Sequence, residues 1–420
     1  MLGNGHVSKL VIVGFSTAAR LLGTLALFAL LARATGPEAF GIFSYWYAFG
    51  VLVGTVTDYG FAQQLLRNVA ADSAIGAANE VKQLGRAKFW LVAGCTVVAI
   101  VIAISTSASR SEYAISTMLI FSGVFGSFYE FYATVLRARQ SYRLESKLSM
   151  ANSLGGSVLA GALGYLTQSI VIAAVMLLLS KLISAMVAYR TVFREVLPAI
   201  SDASFPKEGV FAILKRGFPY AFDNVATQMF GNLDAISAKH LLGGGSAGVY
   251  LSGTRLVQAA LSGLPVIASV FLPSLVSGEA EKVGRTQRLM YLLAIGVGAL
   301  VFSAFYLLKD VLPSFLFGTA FSTLGLLMPW FGVFIFIRYC AAAPGIALTA
   351  RGAQKLRSVI TALSVVLALS ALAIFYRLEG SISSIQLCQS MVLGACVQCI
   401  GYAIGLWVSN RQKQNEISLY

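Results

Sequence analysis

Residues 40–62 read FGIFSYWYAFGVLVGTVTDYGFA, and residues 10–32, shortly before them, read LVIVGFSTAARLLGTLALFALLA. Each stretch is long enough to cross the hydrocarbon core of a bilayer, which takes about 20 helical residues. Because lipid offers the backbone no hydrogen-bond partner, such stretches must be helical, and their lack of alternating polarity argues against an outer-membrane barrel. The beginning of the chain therefore predicts two transmembrane helices.

Apolar stretches of this kind recur along all 420 residues. The composition is 57% hydrophobic and 11% charged, whereas a soluble domain carries about 25% charged residues. We predict an all-α, polytopic membrane protein with no soluble domain. Its twelve predicted spans are residues 10–32, 40–62, 88–107, 115–136, 148–167, 170–190, 217–241, 247–273, 289–308, 322–348, 358–376 and 386–408.

The positive charges predict the orientation of these spans. With the N-terminus in the cytoplasm, the predicted cytoplasmic segments hold 22 of the 31 Lys and Arg residues, and the six outer loops hold four. This is the positive-inside pattern of a membrane protein with both termini in the cytoplasm. The net charge of +14 is thereby explained without a nucleic-acid partner.

A cleaved signal peptide is an alternative for the first stretch, but Arg20 interrupts its apolar run.

Two short motifs recur at nearly the same spacing. Residues 39–43 (AFGIF) resemble residues 246–250 (SAGVY), and the pattern R-x-x-Q-x-x-R occurs at residues 137–143 and 351–357. The spacing aligns the second predicted span with the eighth and the fourth with the tenth. This predicts two parallel six-helix repeats around a central cavity. Chance similarity between short segments is the alternative. The predicted bundles are residues 1–205 and 206–420.

Nine ionisable side chains fall inside predicted spans. Exposing each to lipid would cost roughly 2.5 to 3.5 kcal/mol, so most must face protein or water. Several align at helical spacing with neutral polar residues, which favours a hydrated cavity. The alternative is that they form interhelical hydrogen bonds and buried ion pairs, such as one between Arg20 and an acid of the seventh span. The nine are Arg20, Asp58, Glu130, Lys181, Asp223, Asp234, Lys239, Arg255 and Arg338.

Motifs for other chemistry are missing from the sequence. There is no G-x-x-x-x-G-K-[ST] loop, so we expect no ATP hydrolysis by this chain. The five cysteines lie in apolar runs, and although Cys396 and Cys399 share C-x-x-C spacing, the chain has only two histidines. We therefore expect no metal site, no redox site and no catalytic residues.

Six short segments carry a family resemblance. They are residues 34–41 (ATGPEAFG), 57–61 (TDYGF), 232–234 (NLD), 248–250 (GVY), 272–275 (LPSL) and 316–321 (LFGTAF). In this order and placement, they resemble the polysaccharide-transporter branch of the multidrug, oligosaccharidyl-lipid and polysaccharide exporter superfamily, and O-antigen flippases in particular.

The resemblance implies a transporter and not an enzyme. Such a flippase moves undecaprenyl-pyrophosphate-linked repeat units of O-antigen, capsule or exopolysaccharide outward by alternating access. The similar lipid II flippases have a basic residue in the stretch that residues 250–263 resemble, which points to Arg255. They usually have fourteen spans, so lipid II is a less favoured substrate here. The expected partners are this glycan lipid, the bilayer, a polysaccharide polymerase and a chain-length regulator.

The hypothesis for the site assigns a role to each polar residue. Guanidinium groups match phosphate oxygens, so Arg20 and Arg255 are expected to hold the pyrophosphate. Coupling to a proton or sodium gradient is expected at carboxylates, and no other cofactor is expected. The substrate-binding set is Arg20, Arg255, Arg338, Asn224, Gln228 and Asn232. The coupling set is Asp223, Asp234, Glu130 and Asp58.

Two other functions fit the sequence. A cation-coupled multidrug exporter of the same fold would require an acidic cavity, which five bases against four acids do not favour. A membrane polysaccharide polymerase or ligase would need a substantial outer loop with catalytic groups.

Overall fold

The computed structural model describes residues 4–71, 74–196, 209–277 and 280–417, which are helical apart from short turns. The chain divides into two compact units, Met1–Gln228 and Met229–Tyr420. The boundary between the units falls inside one helix, Val210–Leu242. The division of the two repeats at residues 205 and 206 stays a prediction.

The first unit contains helices that correspond to the first six predicted spans. Gly36 divides the first helix, because its backbone is not helical there, and Pro37 follows it. The helices are α1 (Asn4–Asp58), α2 (Phe61–Ala71), α3 (Ala74–Thr106), α4 (Arg110–Ala138), α5 (Tyr142–Met150), a π-helical segment (Ala151–Val158), α6 (Leu159–Thr167), α7 (Ile170–Thr191), a second π-helical segment (Val192–Val196) and the first part of α8 (Val210–Leu242).

Within the described residues, the second unit contains the rest of α8, seven further α-helices and one 3-10 segment. They are α9 (Gly244–Leu261), α10 (Leu264–Ser277), α11 (Ala280–Leu307), α12 (Leu312–Phe317), a 3-10 segment (Thr319–Leu326), α13 (Met328–Ala350), α14 (Gln354–Glu379) and α15 (Ser384–Ile417). The predicted span 247–273 is not one continuous helix, because a turn at Ser262 and Gly263 separates α9 from α10. Pro265 follows this turn and has no backbone N–H for a continuing helix.

Nine helical stretches of the described residues are long and apolar enough to cross a membrane. One of them, Ala19–Asp58, holds two predicted spans because Gly36 divides α1. The predicted spans 148–167 and 217–241 lie in α5–α6 and α8, whose polar residues lower the mean hydropathy. Each of the twelve predicted spans thus corresponds to helical structure, and the predicted all-α, polytopic membrane fold is confirmed.

Two glycines with similar backbone angles stand at corresponding places in the two copies of the sequence repeat. Gly36 has φ 73° and ψ 176°, and Gly243 has φ 68° and ψ 155°. This region of backbone space is accessible essentially to glycine alone. Each glycine precedes the helix that carries one copy of the AFGIF and SAGVY pair, so the same turn opens the same span in both units.

Small residues let two helices of the first unit approach to backbone contact. A Cβ added at Gly54 of α1 would lie 2.7 Å from the carbonyl oxygen of Gly123 in α4. One turn earlier, a Cβ at Gly50 would overlap the carbonyl oxygen of Leu119. In a membrane, where the surrounding lipid is as apolar as leucine, such close packing is a main source of helix association.

Gly54→Ala is therefore expected to destabilise the protein by about 1 to 3 kcal/mol, because the backbones must separate. The matched control is Gly94→Ala in α3, where an added Cβ meets no atom within 4 Å. Thermal melting of the purified variants in detergent measures both. Equal melting temperatures for the two variants would show that the contact between α1 and α4 is not close.

Candidate functional site

A cavity of about 380 Å³ lies inside the first unit. Its walls come from α1, α2, α4, α7 and the first part of α8. Many of the lining side chains are polar, although the surrounding helices cross the membrane. The lining residues are Tyr47, Val51, Gly54, Thr55, Asp58, Ala62, Gln63, Leu119, Ser122, Gly123, Gly126, Ser127, Glu130, Lys181, Asn224 and Gln228.

Asp58 reaches the cavity wall from a sharp turn at the end of α1. Tyr59 and Gly60 have φ of 48° and 72°, so the chain reverses there through left-handed conformations. A Cβ at Gly60 would lie 2.6 Å from the Cβ of Tyr220, which leaves no room for a larger residue. The turn therefore fixes the Asp58 carboxylate at the boundary between α1 and α2.

Lys88 of α3 is the ion-pair partner of Asp58. Its Nζ lies 3.6 Å from Oδ1 of Asp58, and the side chains are 0% and 14% exposed. The ammonium group also donates hydrogen bonds to the carbonyl oxygen of Thr57 (3.3 Å) and to Oγ of Ser127 (2.6 Å). The rings of Phe128 and Phe131 lie 5.5 and 5.6 Å from Nζ. This buried charge is thus held by α1 and α4 together.

The second acid of the cavity, Glu130, pairs along its own helix. Arg137 donates a hydrogen bond of 2.9 Å to Oε1 of Glu130 and another of 3.0 Å to Oγ1 of Thr134. Both members of the ion pair are partly exposed, at 33% and 40%. The carboxylate therefore borders the cavity while a guanidinium compensates its charge.

Lys181 brings a positive charge to the same cavity. Its Nζ donates to Oδ1 of Asn152 at 3.3 Å, and Ser184 donates to the same oxygen at 3.2 Å. Asn152 lies in the π-helical segment, and such segments often occur at functional sites.

Arg20 of α1 is exposed, and its charge acts on both Lys181 and Glu145. Burial raises the pKa of the Glu145 carboxyl, and the positive charges of Arg137 and Arg20 oppose this rise. Glu145 is thus an acid near Arg20 that lies in α5. It was not among the predicted partners, which were acids of the seventh span.

Amide side chains of α8 complete the cavity. Gln228 donates a hydrogen bond of 3.4 Å to Oγ1 of Thr55, and Asn224 lies one turn earlier on the same wall. The predicted polar stripe on α8 therefore divides, since Asn224 and Gln228 belong to the first unit and Asn232 and Asp234 to the second. The side chain of Asp223 lies outside the described part of the chain.

In the second unit, α8 and α9 form a polar network. Tyr250 donates a hydrogen bond of 3.1 Å to Oδ2 of Asp234. Arg255, only 3% exposed, donates to Oε1 of Gln258 at 3.0 Å, and Gln258 donates to Oδ1 of Asn232 at 3.3 Å. Three predicted site residues thus take part in contacts between α8 and α9. Asp234 contacts Tyr250, and Asn232 is joined to Arg255 through Gln258.

Arg338 of α13 belongs to a separate network. It donates to Oε1 of Gln398 in α15, and its guanidinium lies 4.9 Å from the ring centre of Phe230. Gln398 in turn donates to Oγ1 of Thr361 at 3.3 Å and to Tyr402 at 3.1 Å. These contacts connect α13, α14 and α15 inside the membrane.

The structure places four predicted site residues, Asp58, Glu130, Asn224 and Gln228, on one cavity. The sequence reading missed Lys88, which it counted among the cytoplasmic charges at the beginning of the third span. One signal could have revealed it, because Asp58 and Lys88 both lie at the predicted cytoplasmic ends of consecutive spans.

Removing Lys88 tests the buried ion pair. Lys88→Met leaves the Asp58 carboxylate without its cation, and breaking a buried pair typically costs about 3 to 5 kcal/mol. The double variant Asp58→Asn with Lys88→Met removes both charges and is expected to recover most of this loss. Thermal melting of the wild type, both single variants and the double variant measures the coupling. Additive losses would show that the two side chains act independently.

Comparisons with known proteins identify the fold and the family of the chain. No curated protein matches the chain by sequence. Among solved structures, an inward-facing multidrug resistance MATE family transporter of the MOP superfamily has a TM-score of 0.67 at 15% identity over 94% of this chain and 98% of its own. The inward closed lipid II flippase MurJ has a TM-score of 0.70 at 11% identity over 95% and 87%. The chain therefore shares its fold with these transporters and with this lipid flippase, as the sequence predicts.

The model of the family described as polysaccharide biosynthesis protein matches residues 9–279. This match covers more than half of the chain and includes the cavity of the first unit and the network of α8 and α9. The chain belongs to the polysaccharide biosynthesis protein family.

Proposed function

We propose that this protein is a flippase for undecaprenyl-pyrophosphate-linked oligosaccharide repeat units. The proposal combines a family of polysaccharide biosynthesis with the fold of transporters and of a lipid flippase. The observation that carries it is the cavity of the first unit, where hydroxyl, amide and charged side chains line about 380 Å³ between membrane-spanning helices. An oligosaccharide with an anionic headgroup matches such a lining.

Neutral hydrogen-bonding groups are the proposed sites for the sugars. Asn224 and Gln228 carry amides that both donate and accept, and Thr55 and Ser122 carry hydroxyls. All four line the cavity of the first unit. Such groups can replace the water that sugar hydroxyls lose when they leave the aqueous phase.

Basic side chains are the proposed sites for the pyrophosphate. In the first unit these are Lys181, which lines the cavity, and Arg20, which is exposed and acts on it electrostatically. In the second unit the proposed residues are Arg255 and Arg338, with Asn232 adjoining Arg255 through Gln258. A phosphate contact to a cationic side chain contributes about 1.5 to 3 kcal/mol.

Carboxylates are the proposed coupling groups, for a proton or a sodium ion. Asp58 and Glu130 line the cavity of the first unit, and each already has a cationic partner. Asp234 is held by Tyr250 in the second unit, and Asp223 completes the set. A proton or cation that binds at such a carboxylate competes with its basic partner, and this competition provides a route from ion binding to helix movement.

The remaining parts of the proposal concern the cellular setting. We place the protein in the bacterial inner membrane with both termini in the cytoplasm, as the positive charges favour. A polysaccharide polymerase and a chain-length regulator are the proposed protein partners. O-antigen, capsule and exopolysaccharide units are the proposed glycans.

Lys181→Met tests the headgroup assignment. We expect loss of surface polysaccharide in a complementation assay, because losing one charge-assisted phosphate contact weakens binding about tenfold or more. Arg20→Ala and Arg255→Ala are expected to give the same loss. Arg377→Gln, an exposed residue at the end of α14, is the control that retains full polymer. Immunoblots of membrane fractions verify insertion, and full polymer from the triple variant would contradict the assignment.

A cation-coupled multidrug exporter is the second candidate, because the structural neighbours include multidrug transporters and the cavity contains two acids. A strain with the gene deleted separates the two functions. Loss of the surface polysaccharide ladder on a gel with unchanged drug susceptibility supports the flippase. Increased drug susceptibility with an intact ladder supports the exporter.

A further inference from the structure

A second concavity, of about 400 Å³, lies on the outer side of the same helix pair that borders the polar cavity. Three of its residues come from α4 and five from α7. All are apolar or aromatic except one arginine. They are Phe125, Phe128, Tyr132, Leu182, Ala185, Met186, Tyr189 and Arg190.

The concavity is exposed on helices that are apolar enough to cross a membrane. Met186 is 55% exposed and Tyr189 is 48% exposed, and α7 belongs to a stretch that can cross the membrane. Aromatic rings form its walls, since Tyr132 and Tyr189 meet edge to face at 5.4 Å. A concave apolar surface in a bilayer is filled by hydrocarbon chains.

Arg190 stands at one end of this groove. It is exposed, and no carboxylate pairs with it in the part of the chain that the structure describes. A guanidinium in this position suits a phosphate oxygen. The matching ligand therefore joins a long apolar chain to a phosphate that has no cationic group of its own, as in a polyprenyl phosphate or an anionic phospholipid. Of these two, the proposed flippase function favours the polyprenyl phosphate.

The groove and the polar cavity share their helices. Ser127 and Lys181 face the cavity while Phe128 and Leu182, the next residues along each helix, face the groove. Gly126 of α4 lines the cavity, where an added Cβ would meet only the flexible chain of Lys181, at 3.9 Å.

We propose that the groove between α4 and α7 binds the polyprenyl chain of the lipid-linked substrate, with its phosphate at Arg190 before the headgroup enters the cavity and reaches Lys181. This inference rests on the proposed flippase function. It assigns the apolar part of the substrate to a surface separate from the cavity for its sugars.

Photolabelling tests the site directly. The full-length protein, in nanodiscs of phosphatidylethanolamine and phosphatidylglycerol, is irradiated with a polyprenyl phosphate that carries a diazirine on its chain. Mass spectrometry is expected to find adducts on α4 and α7 at the groove. Excess unlabelled polyprenyl phosphate should remove them, and excess phosphatidylglycerol should not. Adducts spread evenly over lipid-facing helices, or equal displacement by phosphatidylglycerol, would overturn the proposal.

Two matched pairs of variants sharpen the test. Met186→Trp fills the groove and should abolish labelling there, whereas Val187→Trp, on the adjacent exposed position outside the groove, should not. Arg190→Ala should reduce labelling about tenfold through loss of one charge-assisted contact, whereas Arg194→Ala should leave it unchanged. Equal effects within both pairs would overturn the site. If the tryptophan variants do not fold, the comparison of Arg190→Ala with Arg194→Ala tests the site alone.

The outcome is distinguishable from failure of the flippase function. If the wild-type protein is labelled at the groove but does not restore surface polysaccharide, the lipid site is supported and the flippase function is rejected. Restored polysaccharide with labelling elsewhere would retain the function and reject the site.

Discussion

The ammonium group of Lys88 lies fully buried among membrane-spanning helices, and its partners come from two other helices. A charge buried away from water is costly unless it is paired and hydrogen-bonded. Thr57 and Asp58 of α1 and Ser127 of α4 provide that compensation, so α1, α3 and α4 must pack around one point. The same packing holds Asp58 at the cavity wall. The shape of the candidate site therefore depends on satisfying this buried charge.

The second unit meets the same constraint with different chemistry. Amide side chains receive the hydrogen bonds of Arg255 and Arg338, at Gln258 and Gln398. An amide satisfies a guanidinium without neutralising it. In the first unit, Lys181 likewise donates to an amide, that of Asn152.

The helices and their repeat could be predicted from the sequence, because apolar runs mark the spans and short glycine-containing motifs recur. The spans follow from runs of apolar residues, and the repeat follows from short paired motifs such as AFGIF and SAGVY, which come after the turns at Gly36 and Gly243. The break between α9 and α10 was missed because a hydropathy average does not register a single turn before Pro265. The pairing of Lys88 with Asp58 was missed because helical periodicity assigns residues to faces but does not say which helices are neighbours. For the same reason, the division of the α8 polar stripe between two units was not predicted.

The cavity of the first unit is the centre of the account, and its contact with water and substrate can be measured. In a variant without the five native cysteines, Asn224→Cys places one thiol on the cavity wall, and Ile104→Cys places one on an exposed apolar position of α3 as the control. A membrane-impermeant maleimide should label the thiol at position 224 and not the one at position 104. Added undecaprenyl-pyrophosphate-linked oligosaccharide should slow that labelling. A thiol at position 224 that never reacts, or that reacts at the same rate with substrate present, would contradict the account.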